Sequence, residues 1–177
     1  MIDRRLQFVL IALLVVVAST LDQSILSGLA LRPFDLTLVL LLAVTVSGLI
    51  WPAITLALLA GLLRGTTTVY PWFVYGGAYV LAVSVAWLVI RRVVAERATA
   101  SLLASSAAGS FAYAVAFMAL ASFGHLLQSS AIQIPWSVVA VTAAVQSILQ
   151  PWLIWFIWRV RGGGKFASVR QSLTSPF

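Results

Sequence analysis

From Leu36 to Ile90 the chain carries a single charged side chain, Arg64. A water-soluble domain needs polar groups along one face of every helix or strand, and this stretch has no such face. The remaining charges gather in short clusters between uncharged runs, around Arg4 and Arg5, around Arg32 and Asp35, from Arg91 to Arg97, and from Arg159 onward. That placement is expected where only loops meet water. Composition agrees: 62% of residues are apolar, 8% are charged and mean hydropathy is +1.08. The formal charge of +7 could suit nucleic acid, which requires a basic face to neutralise phosphates. Dispersal of the basic residues to the ends of apolar runs excludes that partner.

A helix rises about 1.5 Å per residue and needs roughly 20 residues to cross hydrocarbon about 30 Å thick. Leu6 to about Leu26, Trp72 to Ile90, Thr99 to Phe123 and Trp136 to Trp158 meet this directly. The start resembles a secretory signal, but it lacks a clean A-x-A site and is read as an uncleaved first span. Charge parity divides the region between Asp35 and Arg91. With Arg4 and Arg5 inside, the Arg91 to Arg97 cluster obeys the positive-inside rule only after an odd number of further crossings. Leu36 to Ile50, Pro52 to Tyr70 and Trp72 to Ile90 supply three. Pro52 and Pro71 suit helix first turns, where a missing N–H is harmless. The expected fold is therefore all-α, a polytopic integral membrane protein with six transmembrane helices and both termini cytoplasmic. Residues 1–161 form the membrane domain and 162–177 a basic cytoplasmic tail behind a Gly162–Gly164 hinge, attracted to anionic headgroups.

Arg64 is the charge that needs a reason, because charge within a span is costly. It can snorkel to the outer interface, which is the first expectation, or pair with a carboxylate such as Asp22 or Asp35, or with a partner protein. Thr66, Thr67 and Thr68 offer hydroxyls to the loosened backbone after it. Asp35, at the mouth of span two, suits a helix N-terminus. In the last span Pro151 frees the Ser147 carbonyl, and Gln146 and Gln150 lie one turn apart beside that defect, giving a polar patch next to Trp152.

Spans four and five should form an antiparallel hairpin. Ala78, Ala82 and Ala86 make an i, i+4 ridge on one, and Ala104, Ala108, Ala112 and Ala116 a longer ridge on the other. Ser105 and Gly109 add a second small-residue pair. Small residues let helices approach closely in lipid. The Leu-rich LTLVLLLAV of span two faces either lipid or another helix.

Catalytic chemistry finds little support. There is no cysteine and one histidine, His125, so thiolate and His-rich metal sites are excluded, and no Walker loop, dinucleotide fingerprint or nucleophile elbow occurs. No cofactor or metal is expected.

In order along the chain, the basic start and apolar first span, LRPFDLTLVLLLAV, AITLALLAGLLRG and QPWLIWFIWRVR resemble the rod-shape-determining membrane protein family MreD, and the likeness covers nearly the whole chain. Arg32 and Pro33 correspond to the family's Arg-Pro pair opening span two, and Pro151 and Trp152 to its Pro-Trp in the last span. One departure is Arg64, which stands where the family commonly carries an acid. The resemblance implies a non-enzymatic component of the bacterial cell-elongation machinery in the inner membrane. It implies binding of a MreC-like bitopic protein, near the peptidoglycan synthase and the actin-like filament. Arg32, Pro33, Asp35, Arg64, Gln146, Gln150, Pro151 and Trp152 are the candidate partner-binding residues. The implied fold is similar to the substrate-binding S-components of energy-coupling-factor transporters. The competing reading is such a vitamin-binding subunit, its pocket lined by Asp22, Arg64, Tyr70, Tyr75, His125 and Gln128.

Overall fold

A computed structural model describes residues 4–22, 35–46, 48–68, 70–93 and 98–128, together with Trp152. The described residues form five helices and no strand: α1 (Arg4–Leu21), α2 (Leu36–Val46), α3 (Ile50–Gly65), α4 (Trp72–Val93) and α5 (Ala98–Gln128). The helical class expected from the charge pattern is present. Of these helices, Trp72–Arg92 and Leu103–Phe123 are long and apolar enough to cross a membrane, at 21 residues each. Ala12–Leu21, α2 and α3 are apolar but shorter. Most of the expected sixth span, 136–158, and the tail, 162–177, lie outside the described residues, except that Trp152 is helical and exposed.

Helix boundaries follow local chemistry. After α2 the chain reverses through Gly48, whose φ of 87° is the left-handed region that glycine occupies without a Cβ penalty. The reversal ends α2 at Val46, short of the expected Ile50. Pro52 falls in the first turn of α3, where amide protons have no intrahelical acceptor. At the other end the three threonines act as expected: the Thr66 hydroxyl donates to the Leu63 carbonyl (2.8 Å), and those of Thr67 (3.1 Å) and Thr68 (2.7 Å) donate to the Arg64 carbonyl. Orphan carbonyls at the α3 terminus are thereby satisfied. Pro71 precedes α4 and its carbonyl accepts from the Val74 N–H at 3.0 Å.

The core is built around α4, which packs mainly on α3 and α5, with α2 laid against α3 and α4 and with α1 beside α2 and α3. α2 resolves the ambiguity of its leucines. Thr37, Leu38, Val39, Leu41, Leu42, Val44, Thr45 and Val46 are all buried, as a helix apolar on every side should be. Its eleven residues span only about 16 Å, roughly half of a bilayer's hydrocarbon. Large apolar side chains cover the outward faces instead, including Leu13 and Val17 on α1, Leu58 and Leu62 on α3, Leu81 and Leu88 on α4, and Phe111 and Val115 on α5.

Close helix approach occurs where small residues coincide. A Cβ on Gly61 would overlap the Gly76 backbone, so α3 and α4 touch through bare glycines. On α4 the expected ridge of Ala78, Ala82 and Ala86 is fully buried. On α5 the ridge needs correction. Ala104 is exposed, Ala108 and Ala112 are half-buried, and only Ala116 is buried. Of the Ser105 and Gly109 pair expected beside the ridge, both are buried and Gly109 meets α4: a Cβ there would lie 3.2 Å from both the Ala82 carbonyl oxygen and the Ala86 Cβ. The cause is helical phase. A strict i, i+4 series rotates by about 40° per step in a helix of 3.6 residues per turn, or about 120° over three steps. Such a row begins on one side of a straight helix and ends on another.

Candidate functional site

The interior charges converge on the N-terminus of α2. Asp35 immediately precedes that helix, and its Oδ1 accepts from the Leu38 N–H at 2.9 Å, the pattern of an N-cap. Asp22 follows α1 and reaches the same terminus from outside: Oδ1 accepts from the Leu36 N–H (3.0 Å), and Oδ2 accepts from the Thr37 N–H (3.0 Å) and the Thr37 hydroxyl (2.8 Å). The first three amide protons of α2 therefore all go to carboxylates. Their partial positive charge, summed with the helix dipole, favours two acids at one place.

Arg64 closes the site from α3. Its Nη2 donates to Asp22 Oδ2 at 2.7 Å and its Nη1 to Asp35 Oδ2 at 2.9 Å. The side chains are 14% exposed for Arg64, 3% for Asp22 and 6% for Asp35, so the ion pairs are interior ones. Snorkelling, the first expectation for Arg64, is thereby corrected: two carboxylates within bonding distance hold the guanidinium in the bundle. Asp35 combines the helix-N-terminus position read from the sequence with an ion pair.

Aromatic rings complete the enclosure. Tyr79, fully buried on α4, donates its hydroxyl proton to Asp35 Oδ2 at 2.8 Å. The Arg64 guanidinium carbon lies 5.7 Å from the Tyr75 ring centroid and 5.8 Å from that of Tyr79, within cation–π range. Tyr79 stacks on Tyr113 of α5 with centroids 5.0 Å apart, and Phe117 carries the ring contacts on to Tyr75 and Tyr70. α1, α2, α3 and α4 thus each contribute to, or adjoin, one charged centre, and α5 supports it through rings.

Among the described residues the buried side-chain atoms without a hydrogen-bond partner are Arg64 Nε, at this site, and Ser19 Oγ on α1. Among the described residues no group of His, Cys, Asp and Glu is arranged to hold a metal. The arrangement's chemistry is electrostatic. Carboxylate oxygens accept from a guanidinium, from helix amides and from hydroxyls, and a low-dielectric surround strengthens each bond.

The structure brings Asp22, Asp35, Arg64, Tyr70 and Tyr75 together. His125 and Gln128 belong to the last turns of α5, and Arg32, Pro33, Gln146, Gln150 and Pro151 lie outside the described residues. Trp152 is 60% exposed. Tyr79, Tyr113 and Thr37 are site residues that the sequence did not single out. The signal for Tyr79 was available, since it follows Tyr75 by one turn on an otherwise apolar helix. Comparison with protein-family models, with curated proteins and with solved structures finds no match.

Proposed function

We propose that the chain is a non-enzymatic membrane scaffold of the MreD type, serving bacterial cell elongation by binding a MreC-like bitopic protein. The observation that carries this reading is the use of the interior charges. Arg64 takes Asp22 and Asp35, the two carboxylates among the described residues, and these in turn hold the start of α2. Groups bonded in this way build the fold. A carrier or an intramembrane enzyme would need carboxylates presented to its ion or substrate. Among the described residues the helix exteriors between their ends are largely apolar and suited to lipid and to a partner's span.

In this reading the protein resides in the inner membrane with six passes, the second of which, α2, covers only about half the hydrocarbon within the bundle, and keeps both termini in the cytoplasm. α4 gives the scale. From Trp72 to Arg92 its 21 residues cover about 30 Å, one hydrocarbon thickness. Tyr79 then lies about 10 Å below the outer end, and with it the Arg64 network. At that depth water cannot satisfy a stray charge, which accounts for the density of partners around Arg64.

A transporter S-component is the second reading, favoured by the convergence of Asp22, Arg64, Tyr70 and Tyr75. Mild detergent extraction of the full-length protein, followed by mass spectrometry of what co-purifies, separates the two. A single-span protein with a periplasmic coiled coil supports the scaffold. A retained small molecule, or an ATPase-driven module with no bitopic partner, refutes it.

A further inference from the structure

The far end of α4 carries a second arginine arrangement, exposed where the first is interior. Arg91 and Arg92 occupy its last turn and both are exposed. Among the described residues neither has an acidic partner. Arg91 is nevertheless held in place: its guanidinium carbon lies 4.0 Å from the centroid of the half-buried Trp87 ring, one turn back on the same helix. Stacking engages the flat face of a guanidinium and leaves its in-plane N–H groups pointing outward, where they match the oxygens of a phosphodiester.

The direction in which these groups emerge decides what they meet. Leu81 and Leu88 are 48% and 50% exposed and share one face of α4, which Arg92 continues one turn further on. The opposite face, with Ala82, Ala86 and Ile90, is buried against the bundle. Arg92 therefore caps the outward apolar stripe, and Arg91 stands beside it, about 100° around the helix and stacked on Trp87. A ligand with an anionic head and hydrocarbon tails would place its phosphate at Arg91 and Arg92 and run its chains past Leu88 and Leu81. Soluble phosphate would use only half of that surface.

We propose that Trp87, Arg91 and Arg92 form a binding site for the phosphate of an anionic phospholipid, with Leu81 and Leu88 contacting its acyl chains. The site rests on the reading that α4 crosses the bilayer. An anionic lipid is preferred to a zwitterionic one because two adjacent guanidinium groups repel a choline or ethanolamine ammonium. Trp87 holds Arg91 at the level of the headgroups, the depth at which an indole is itself favoured.

Native mass spectrometry of the full-length protein, after exchange into detergent containing equal amounts of phosphatidylglycerol and phosphatidylcholine, tests this. The wild type is expected to retain phosphatidylglycerol preferentially, and Arg91→Ala with Arg92→Ala to reduce that preference by about tenfold. Trp87→Leu, which leaves the charge unchanged, is expected to reduce it by a smaller factor. Removing two other charges, by Arg4→Ala with Arg5→Ala, should leave most of the preference intact. Equal losses from the two double variants would overturn the site in favour of a diffuse charge effect. Displacement of the lipid by millimolar inorganic phosphate would overturn the role of the acyl-chain stripe. Resistance of each variant to alkaline carbonate extraction, measured in parallel, reports whether α4 inserts, so loss of insertion is distinguishable from loss of the site.

Discussion

Replacing Arg64 by methionine keeps much of the side chain's volume and removes its charge, leaving Asp22 and Asp35 close together in the interior. Two charge-assisted hydrogen bonds, at 2.7 and 2.9 Å, are lost. At about 1.5–3 kcal/mol each they suggest a cost of about 3–6 kcal/mol. The direct expectation for breaking a buried pair, about 3–5 kcal/mol, falls in the same range. Most of that cost is the penalty of stranding the acids, so it should shrink when they are neutralised. Arg64→Met combined with Asp22→Asn and Asp35→Asn is expected to recover at least half of the loss, even though it removes more native bonds. Chemical unfolding in detergent, followed by tryptophan fluorescence, measures all the variants needed for the cycle. Arg64→Met within about 0.5 kcal/mol of the wild type, the range of an ordinary surface substitution, would refute the interior ion pairs. Strictly additive losses in the triple variant would refute the stranded-charge explanation.

Tyr79→Phe removes one hydroxyl donor while Arg64 still serves Asp35, so a loss of about 1–2 kcal/mol is expected in the same unfolding assay. The glycine crossing is asymmetric: Gly61→Ala drives a methyl into the Gly76 backbone and should cost about 3 kcal/mol or prevent assembly, as overpacking does. Gly76→Ala should be nearly neutral in thermal melting, because its Cβ would sit 3.8 Å from the Gly61 Cα. Ala82→Leu, fully buried on α4, should lower the melting temperature markedly, whereas Ala104→Leu, exposed on α5, should leave it unchanged. Equal effects of the last pair would contradict the phase assigned to α5.

Much of this arrangement can be read from the sequence where the cause is local. Pro52, Pro71 and the three threonines after Arg64 mark helix ends through their own backbone chemistry, and they act there as expected. The face of α2 is different in kind: a helix apolar on all sides has no phase, and burial is decided by neighbours remote in sequence. Arg64 shows the same limit. Its bond to Asp22 joins residues 42 apart, so the residue types named the possible partners while only the packing of α1 and α2 on α3 could choose pairing over snorkelling. Tyr79 is legible only as a polar side chain one turn from Tyr75, and its role depends on the acceptor that the fold places beside its hydroxyl. On α5 the limit is phase, since alanines four apart drift around a helix that Gly109 fixes against α4.

In the proposed topology α4 crosses the bilayer with the Arg64 network beneath its outer end and the arginine pair at its inner end. The chain contains no cysteine, so single substitutions report position without background. Thr67→Cys, in the exposed turn after Arg64, and Ala95→Cys, following α4, can each be treated in intact cells with a membrane-impermeant maleimide. Labelling at position 67 in intact cells, and at position 95 only after lysis, is the expected result. Labelling of both positions from the same side would contradict it.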